Sequence, residues 1–71
     1  MKDVGLAAVY YQRMREDLLK VRAECDETPT PRLIMKEGAY EDKLCAFRLG
    51  LECAGILEEV ETEWRRIYGD V

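Results

Sequence analysis

The side chains best suited to chemistry are two glutamates near the C-terminal end, Glu59 and Glu63. Residues four apart lie on one face of a helix, and paired carboxylates there can bind Mg²⁺. Glu52 lies two turns further back on the same face. The spacing from Glu58 and Glu59 would require a third carboxylate at Thr62, and no second acidic motif follows. This pattern favours a solvated acidic surface over a metal site.

Other reactive residue types are few. The chain has no histidine, which removes the commonest general base and metal ligand. The cysteines are Cys25, Cys45 and Cys53, and the last two would lie about 12 Å apart on one helix, too far for a disulfide. They also lack zinc-ligand spacing, and no glycine-rich phosphate loop precedes a helix. We therefore predict no catalytic, metal or cofactor site, no enzyme activity, and reduced, buried cysteines.

Length and composition predict one small folded domain, 1–71. The 71 residues are 48% hydrophobic and 37% charged, a foldable composition, but chains of this size bury only about 60% of their unfolded surface. No apolar run reaches the roughly 20 residues that a membrane span needs, and no signal-peptide pattern precedes the first helix. We expect a cytoplasmic protein without membrane attachment.

The charge is unevenly distributed. The net charge is −4, with +1 up to Lys36 and −5 from Glu37 onward. A predicted acidic surface contains four glutamates of the C-terminal part: Glu58, Glu59, Glu61 and Glu63. Such a surface would suit a partner protein with a basic surface.

The N-terminal third predicts a helix over 3–26. Its apolar residues alternate at intervals of three and four, which is the seam of a coiled-coil-like helix. These residues are Val4, Ala7, Tyr11, Met14, Leu18, Val21 and Cys25. Asp3 is a suitable N-cap.

Residues 27–39 are predicted to be a connector. Pro29 and Pro31 end the first helix, because proline lacks an amide donor and restricts the residue before it. Thr30 and Pro31 resemble the start of a short helical turn that runs to Glu37 and stops at Gly38. The apolar run at 33–35 could instead form a short strand that pairs across a dimer.

Residues 40–68 are predicted to form one long helix with an unusually wide apolar arc. Acidic residues stand in its first turn, and Arg65, Arg66 and Gly69 mark its end. At 1.5 Å per residue it would span about 43 Å, whereas a compact chain of this length is roughly 29 Å across. The first helix could cover only one side of this arc, so we expect a second chain to cover the other.

The predicted fold is therefore all-α, a hairpin of two long helices that dimerises into a four-helix bundle. A heteromeric partner would meet the same physical requirement. Small residues spaced by four, Ala46, Gly50 and Ala54, suggest a groove for close helix packing. The full predicted protein-interaction surface comprises Ala46, Phe47, Gly50, Leu51, Cys53, Ala54, Leu57 and Trp64.

The predicted function is a small protein–protein interaction module, an adaptor, regulator or inhibitor that acts by occupying a surface. The alternative is a small dimeric nucleic-acid-associated transcriptional regulator. Four basic residues could gather near the middle of a dimer: Arg13, Lys20, Arg32 and Lys36. The net charge of −4 opposes phosphate binding, however, and no basic run is interleaved with aromatic residues.

Overall fold

The computed structural model describes residues 3–69, which form three α-helices and a terminal π-helix. Helix α1 spans Val4–Glu27, α2 spans Pro31–Cys53 and α3 spans Leu57–Trp64, and the π-helix follows at Arg65–Gly69. No strand occurs among residues 3–69, which confirms the predicted all-α class. Helices α1 and α2 pack together as a helical hairpin.

Helix α1 agrees with the predicted 3–26 to within one residue. Asp3 caps it, since its Oδ1 accepts a hydrogen bond from the Leu6 amide at 2.9 Å. The heptad seam faces the rest of the chain, so that Tyr11, Leu18 and Val21 are buried. At the far end the Thr28 amide donates to the Glu24 carbonyl at 2.9 Å, and the helix stops.

The predicted connector 27–39 is wrong in its second half, because 31–39 belong to α2. Thr30 caps this helix through a 3.2 Å hydrogen bond from the Leu33 amide to its Oγ1, and Pro31 is the first helical residue. Gly38 does not end the helix, and the strand alternative at 33–35 is also wrong. Arg22 of α1 pairs with Glu37 at 3.4 Å and also with Glu41, the two acidic residues on either side of Gly38 in α2.

The predicted long helix 40–68 is also wrong, because the chain turns back at Gly55. Gly55 has φ +75°, a left-handed conformation that glycine adopts at little cost. Its amide donates to the Glu52 carbonyl and the Ile56 amide to the Leu51 carbonyl, both at 3.0 Å. These two bonds form a Schellman motif, which satisfies the last carbonyls of α2 and ends the helix. Ile56 also packs against the core cluster that contains Leu51, the apolar contact that commonly accompanies this motif.

The reversal places α3 against α1 and closes a small core. Val60 is fully buried and clusters with Ala8 and Leu51, so that each of the three helices contributes one residue. Partly buried neighbours surround this cluster: Val4, Ala7, Phe47, Ile56, Leu57 and Trp64. Part of the apolar arc that was expected to need a second chain is therefore covered by α3 of the same chain.

The molecule is thin. Its Cα atoms extend 42 × 29 × 14 Å, and the radius of gyration is 13.7 Å. A compact chain of this length would have a radius of gyration near 11 Å. The shortest dimension has room for about two helices packed side by side, at axis separations of 8–10 Å. Every helix therefore keeps one side open to solvent. In the described part of the chain, no helix is long and apolar enough to cross a membrane.

The two glycines near the end of α2 give a matched test of this fold. We expect Gly55→Ala to lower the free energy of unfolding by about 1–2 kcal/mol, because a Cβ is strained at positive φ. Gly50→Ala should raise it by up to about 1 kcal/mol, since a Cβ there meets no atom within 4 Å and alanine favours a helix. Urea unfolding followed by circular dichroism measures both effects, and equal destabilisation by the two variants would contradict the turn at Gly55.

Candidate protein-interaction surface

The predicted interaction residues separate into a buried group and an exposed group. Leu51 is buried, and three others are half-buried against the core: Phe47, Leu57 and Trp64. The other four are exposed on or just after the last turns of α2: Ala46, Gly50, Cys53 and Ala54. The first group holds the chain together, and only the second group is available to a partner.

An exposed strip follows α2, and we call it the α2 outer face. Its positions alternate at intervals of four and three, and they are Met35, Ala39, Asp42, Ala46, Leu49 and Cys53. All six are exposed, with Met35 at 76% and Leu49 at 60% of their full accessible surface. Five of the six positions are apolar, whereas the solvated side of a helix is normally polar. The strip therefore has the pattern of a helix-packing seam without a partner.

Sequence reasoning missed the first half of this strip. The second helix was predicted to begin at Tyr40, so Met35 and Ala39 lay outside it. Of the strip, only Ala46 and Cys53 were included in the predicted interaction surface. The signal was present in the spacing from Met35 to Cys53, which continues unbroken through Gly38 once the helix begins at Pro31.

A groove lies between α1 and α2, and apolar side chains form part of its lining. Leu18, Leu19, Leu44 and Cys45 form its apolar lining, and its volume is about 420 Å³. Arg15 and Arg22 stand on the α1 side, and Glu41 and Asp42 on the α2 side. Arg22 and Glu41 pair with each other, and this hydrogen bond raises the pKa of the Arg22 guanidinium. The Arg22–Glu41 pair therefore connects α1 to α2 at the border of the groove.

The four predicted acidic residues lie together on and around α3, but two of them have partners. Glu61 lies 3.9 Å from the Arg48 guanidinium. Glu63 accepts a hydrogen bond from Arg66 Nε at 3.0 Å, which lowers the pKa of the Glu63 carboxyl. Glu58 and Glu59 are exposed and border a shallow hollow with Glu63.

The acidic residues do not form a recognisable metal centre. Among residues 3–69, no group of three or more cysteine, aspartate or glutamate side chains is arranged to hold a metal ion. Thr62, between Glu61 and Glu63, donates a hydrogen bond from its hydroxyl to the Glu58 carbonyl at 2.9 Å.

Trp64 connects α3 to α1 through three contacts. Its Nε1 donates to Gln12 Oε1 at 2.8 Å, and its ring lies 5.5 Å from that of Tyr11. The Arg15 guanidinium lies 4.8 Å above the indole, a cation–π distance. The residue predicted to meet a partner therefore fixes the position of α3 within its own chain.

The basic residues of the nucleic-acid alternative are exposed, and two of them lie over tyrosine rings. Arg13 is 5.7 Å from the Tyr10 ring centre, and Lys36 is 5.9 Å from that of Tyr40. Lys20 and Arg32 are exposed on α1 and α2. None of the four lines the groove between these helices.

The prediction that the cysteines are buried holds for Cys25 alone. Cys25 is 9% exposed, whereas Cys45 and Cys53 are exposed, and all three are free thiols. Burial raises the pKa of the Cys25 thiol, and the neighbouring Glu37 carboxylate raises it further. Burial of Cys45 and Cys53 was expected because both lie on the wide apolar arc of the predicted long helix. In the structure both lie on exposed sides of α2.

Comparison of this chain with protein-family models, with curated protein sequences and with solved structures found no match in any of the three.

The Trp64 contact can be tested with two substitutions in α1. We expect Gln12→Ala to lower the free energy of unfolding by about 1 kcal/mol, because a partly buried indole N–H loses its acceptor. Glu16→Ala is the control, since it removes the exposed 2.8 Å partner of the Gln12 amide and leaves the indole bond intact. Its effect should stay within about 0.5 kcal/mol. Fluorescence of the single tryptophan follows unfolding, and similar losses in both variants would contradict a special role for the indole bond.

Thiol labelling should separate the cysteines at mildly alkaline pH. We expect iodoacetamide to modify Cys45 quickly and Cys25 slowly, because the thiolate is the nucleophile and Cys25 is both buried and raised in pKa. Peptide mass spectrometry over a time course measures the two rates. Labelling of Cys25 as fast as Cys45 would mean that the hairpin opens at its loop end.

Proposed function

We propose that this chain is a small protein-interaction module that acts by helix packing and surface occupation. The supporting observation is that the described residues expose more large apolar side chains than they bury. Eight such side chains are at least 38% exposed: Leu6, Val9, Tyr10, Leu19, Ile34, Met35, Leu49 and Ile67. Among residues 3–69, Val60 is the largest side chain that is fully buried. Single exposed apolar residues need no explanation, but a contiguous strip such as the α2 outer face is typical of an interaction site.

The accessible surface supports the same proposal. The chain exposes 5387 Å², whereas a compact protein of this length would expose about 4,600 Å². The excess of about 800 Å² is spread over the whole molecule and reflects its thin shape and small core. A partner on this surface would compensate for the small core.

The charge distribution suggests a secondary contact. Glu58 and Glu59 are exposed in the first turn of α3, in the part of the chain whose net charge is −5 from Glu37 onward. A partner with a basic surface would be attracted to this end, mainly through a faster association rate. The apolar α2 outer face would then supply most of the binding free energy.

Two leucines of nearly equal exposure allow a controlled binding test. Leu49 on the α2 outer face is 60% exposed and Leu19 on α1 is 57% exposed. We expect Leu49→Lys to lose partners that the wild type retains from an extract of the native host, because lysine would bring a solvated charge into the seam. Leu19→Lys should retain them. Quantitative mass spectrometry of the captured proteins measures the difference, and identical protein sets from all three forms would reject the α2 outer face as the binding site.

A further inference from the structure

We infer that α3 is an exchangeable segment: the turn at Gly55 acts as a hinge, and α3 of one copy can dock on α1 of a second copy. This inference goes beyond the proposed function and does not use the α2 outer face. The structure shows what covers the docking site on α1, namely α3 of the same chain. A second copy carries the same α3 and the same site, so the fit between them is already established.

The contacts that hold α3 lie outside the turn. Val60 is buried in one cluster with Ala8, and the indole of Trp64 donates a hydrogen bond to Gln12. Both of these partners belong to α1, and α3 packs mainly against that helix. Because α1 reaches α3 through space and not along the chain, α1 of a second copy can supply the same contacts.

Opening the hinge requires a large backbone change at two residues. Ala54 already lies in the right-handed helical region, with φ −79° and ψ −8°. Gly55 has φ +75°, and Ile56 has φ −123° and ψ 7°. When these two residues become helical, α2 continues directly into α3, and no proline follows Pro31 to interrupt the helix.

The start of α3 favours this change. Its N-cap is Ile56, which makes no side-chain hydrogen bond to the first turn, so the first amides lack the acceptor that a polar cap supplies. In the opened chain the amides of Leu57, Glu58 and Glu59 donate to carbonyls four residues earlier. The opened helix therefore satisfies backbone groups that no side chain caps in the closed form.

An opened chain cannot cover its own apolar surface. At about 100° per residue, Leu57, Val60 and Trp64 would lie roughly 130° around the helix from Phe47 and Leu51, which pack in the core. The apolar side of α3 then points away from its own α1. Two opened chains cover each other, since each donates α3 and receives α3, and the exchange closes as a two-fold dimer.

The closed form keeps two advantages at low concentration. Ile56 packs against the core cluster in the turn. In addition, α3 meets its own site at an effective concentration in the millimolar range, as is usual for a short linker. The wild type should therefore be mainly monomeric at about 100 µM, and a substitution that disfavours the turn should shift the balance to the dimer.

Sedimentation equilibrium on three forms of the full chain tests the hinge. Gly55→Ala should lower the dissociation constant of the dimer at least about a hundredfold below that of the wild type, because alanine is strained in the left-handed turn and favours a helix. Gly50→Ala, within α2, also improves helix propensity and should leave the constant unchanged.

Circular dichroism establishes that all three forms are helical. At concentrations well below its dissociation constant, Gly55→Ala is the destabilised monomer described above. A helical Gly55→Ala chain that dimerises no more strongly than Gly50→Ala overturns the hinge.

Disulfide trapping distinguishes exchange of α3 from any other dimer. The chain carries Ala8→Cys and Val60→Cys at two positions of one core cluster, together with Cys45→Ser and Cys53→Ser. Oxidised glutathione should join the two new thiols, so that the thiols are oxidised and the glutathione is reduced. With Gly55→Ala added, the bond should link two copies and give a covalent dimer on a denaturing gel.

Two controls complete the trapping experiment. Leaving Ala8 unchanged should abolish the covalent dimer. With Gly55 retained, the bond should form within one chain, because α3 is then docked on its own α1. A Gly55→Ala dimer in which the bond also forms within one chain would show that α3 is not exchanged.

Discussion

The structure depends on the reversal of the chain at Gly55. Its left-handed φ of +75° allows two hydrogen bonds to end α2 and sends α3 back along α1. Without this reversal Val60 would not reach Ala8, and the core cluster shared by the three helices would lose one of its members. A single conformationally permissive residue therefore decides whether the C-terminal half extends as a rod or contributes to the core.

Once α3 has folded back, polar contacts hold it at a defined position. The indole of Trp64 binds Gln12 and lies between Tyr11 and Arg15, so that an aromatic side chain satisfies both its apolar surface and its N–H group. At the other end of the hairpin Arg22 connects α1 to two successive turns of α2. These contacts supplement a core that is too small to stabilise the chain strongly by itself.

Because α3 folds back against α1, the surface expected to take part in association is a different one from that predicted for a continuous helix. A continuous helix over 40–68 would have needed a second chain to cover its wide apolar arc. In the structure, α3 covers part of that surface. The outer side of α2 is among the surfaces that stay uncovered, and Met35 and Leu49 are exposed there beside small residues. The proposed role in protein interaction therefore depends on the α2 outer face and on the excess accessible surface, and no longer on the length of a helix.

The sequence by itself determined the features that arise within a few residues along the chain. The heptad seam of α1, the cap at Asp3, the Thr30 and Pro31 start signal and the all-α class are all local, and the structure contains them. The tertiary structure alone decided that Gly38 continues a helix while Gly55 ends one. The apolar period runs through both glycines alike. The turn at Gly55 allows Val60 to be buried against Ala8, and the helix through Gly38 places Glu37 beside Arg22 of α1. Contacts between residues about 50 positions apart leave no trace in local spacing, because they depend on how whole helices pack.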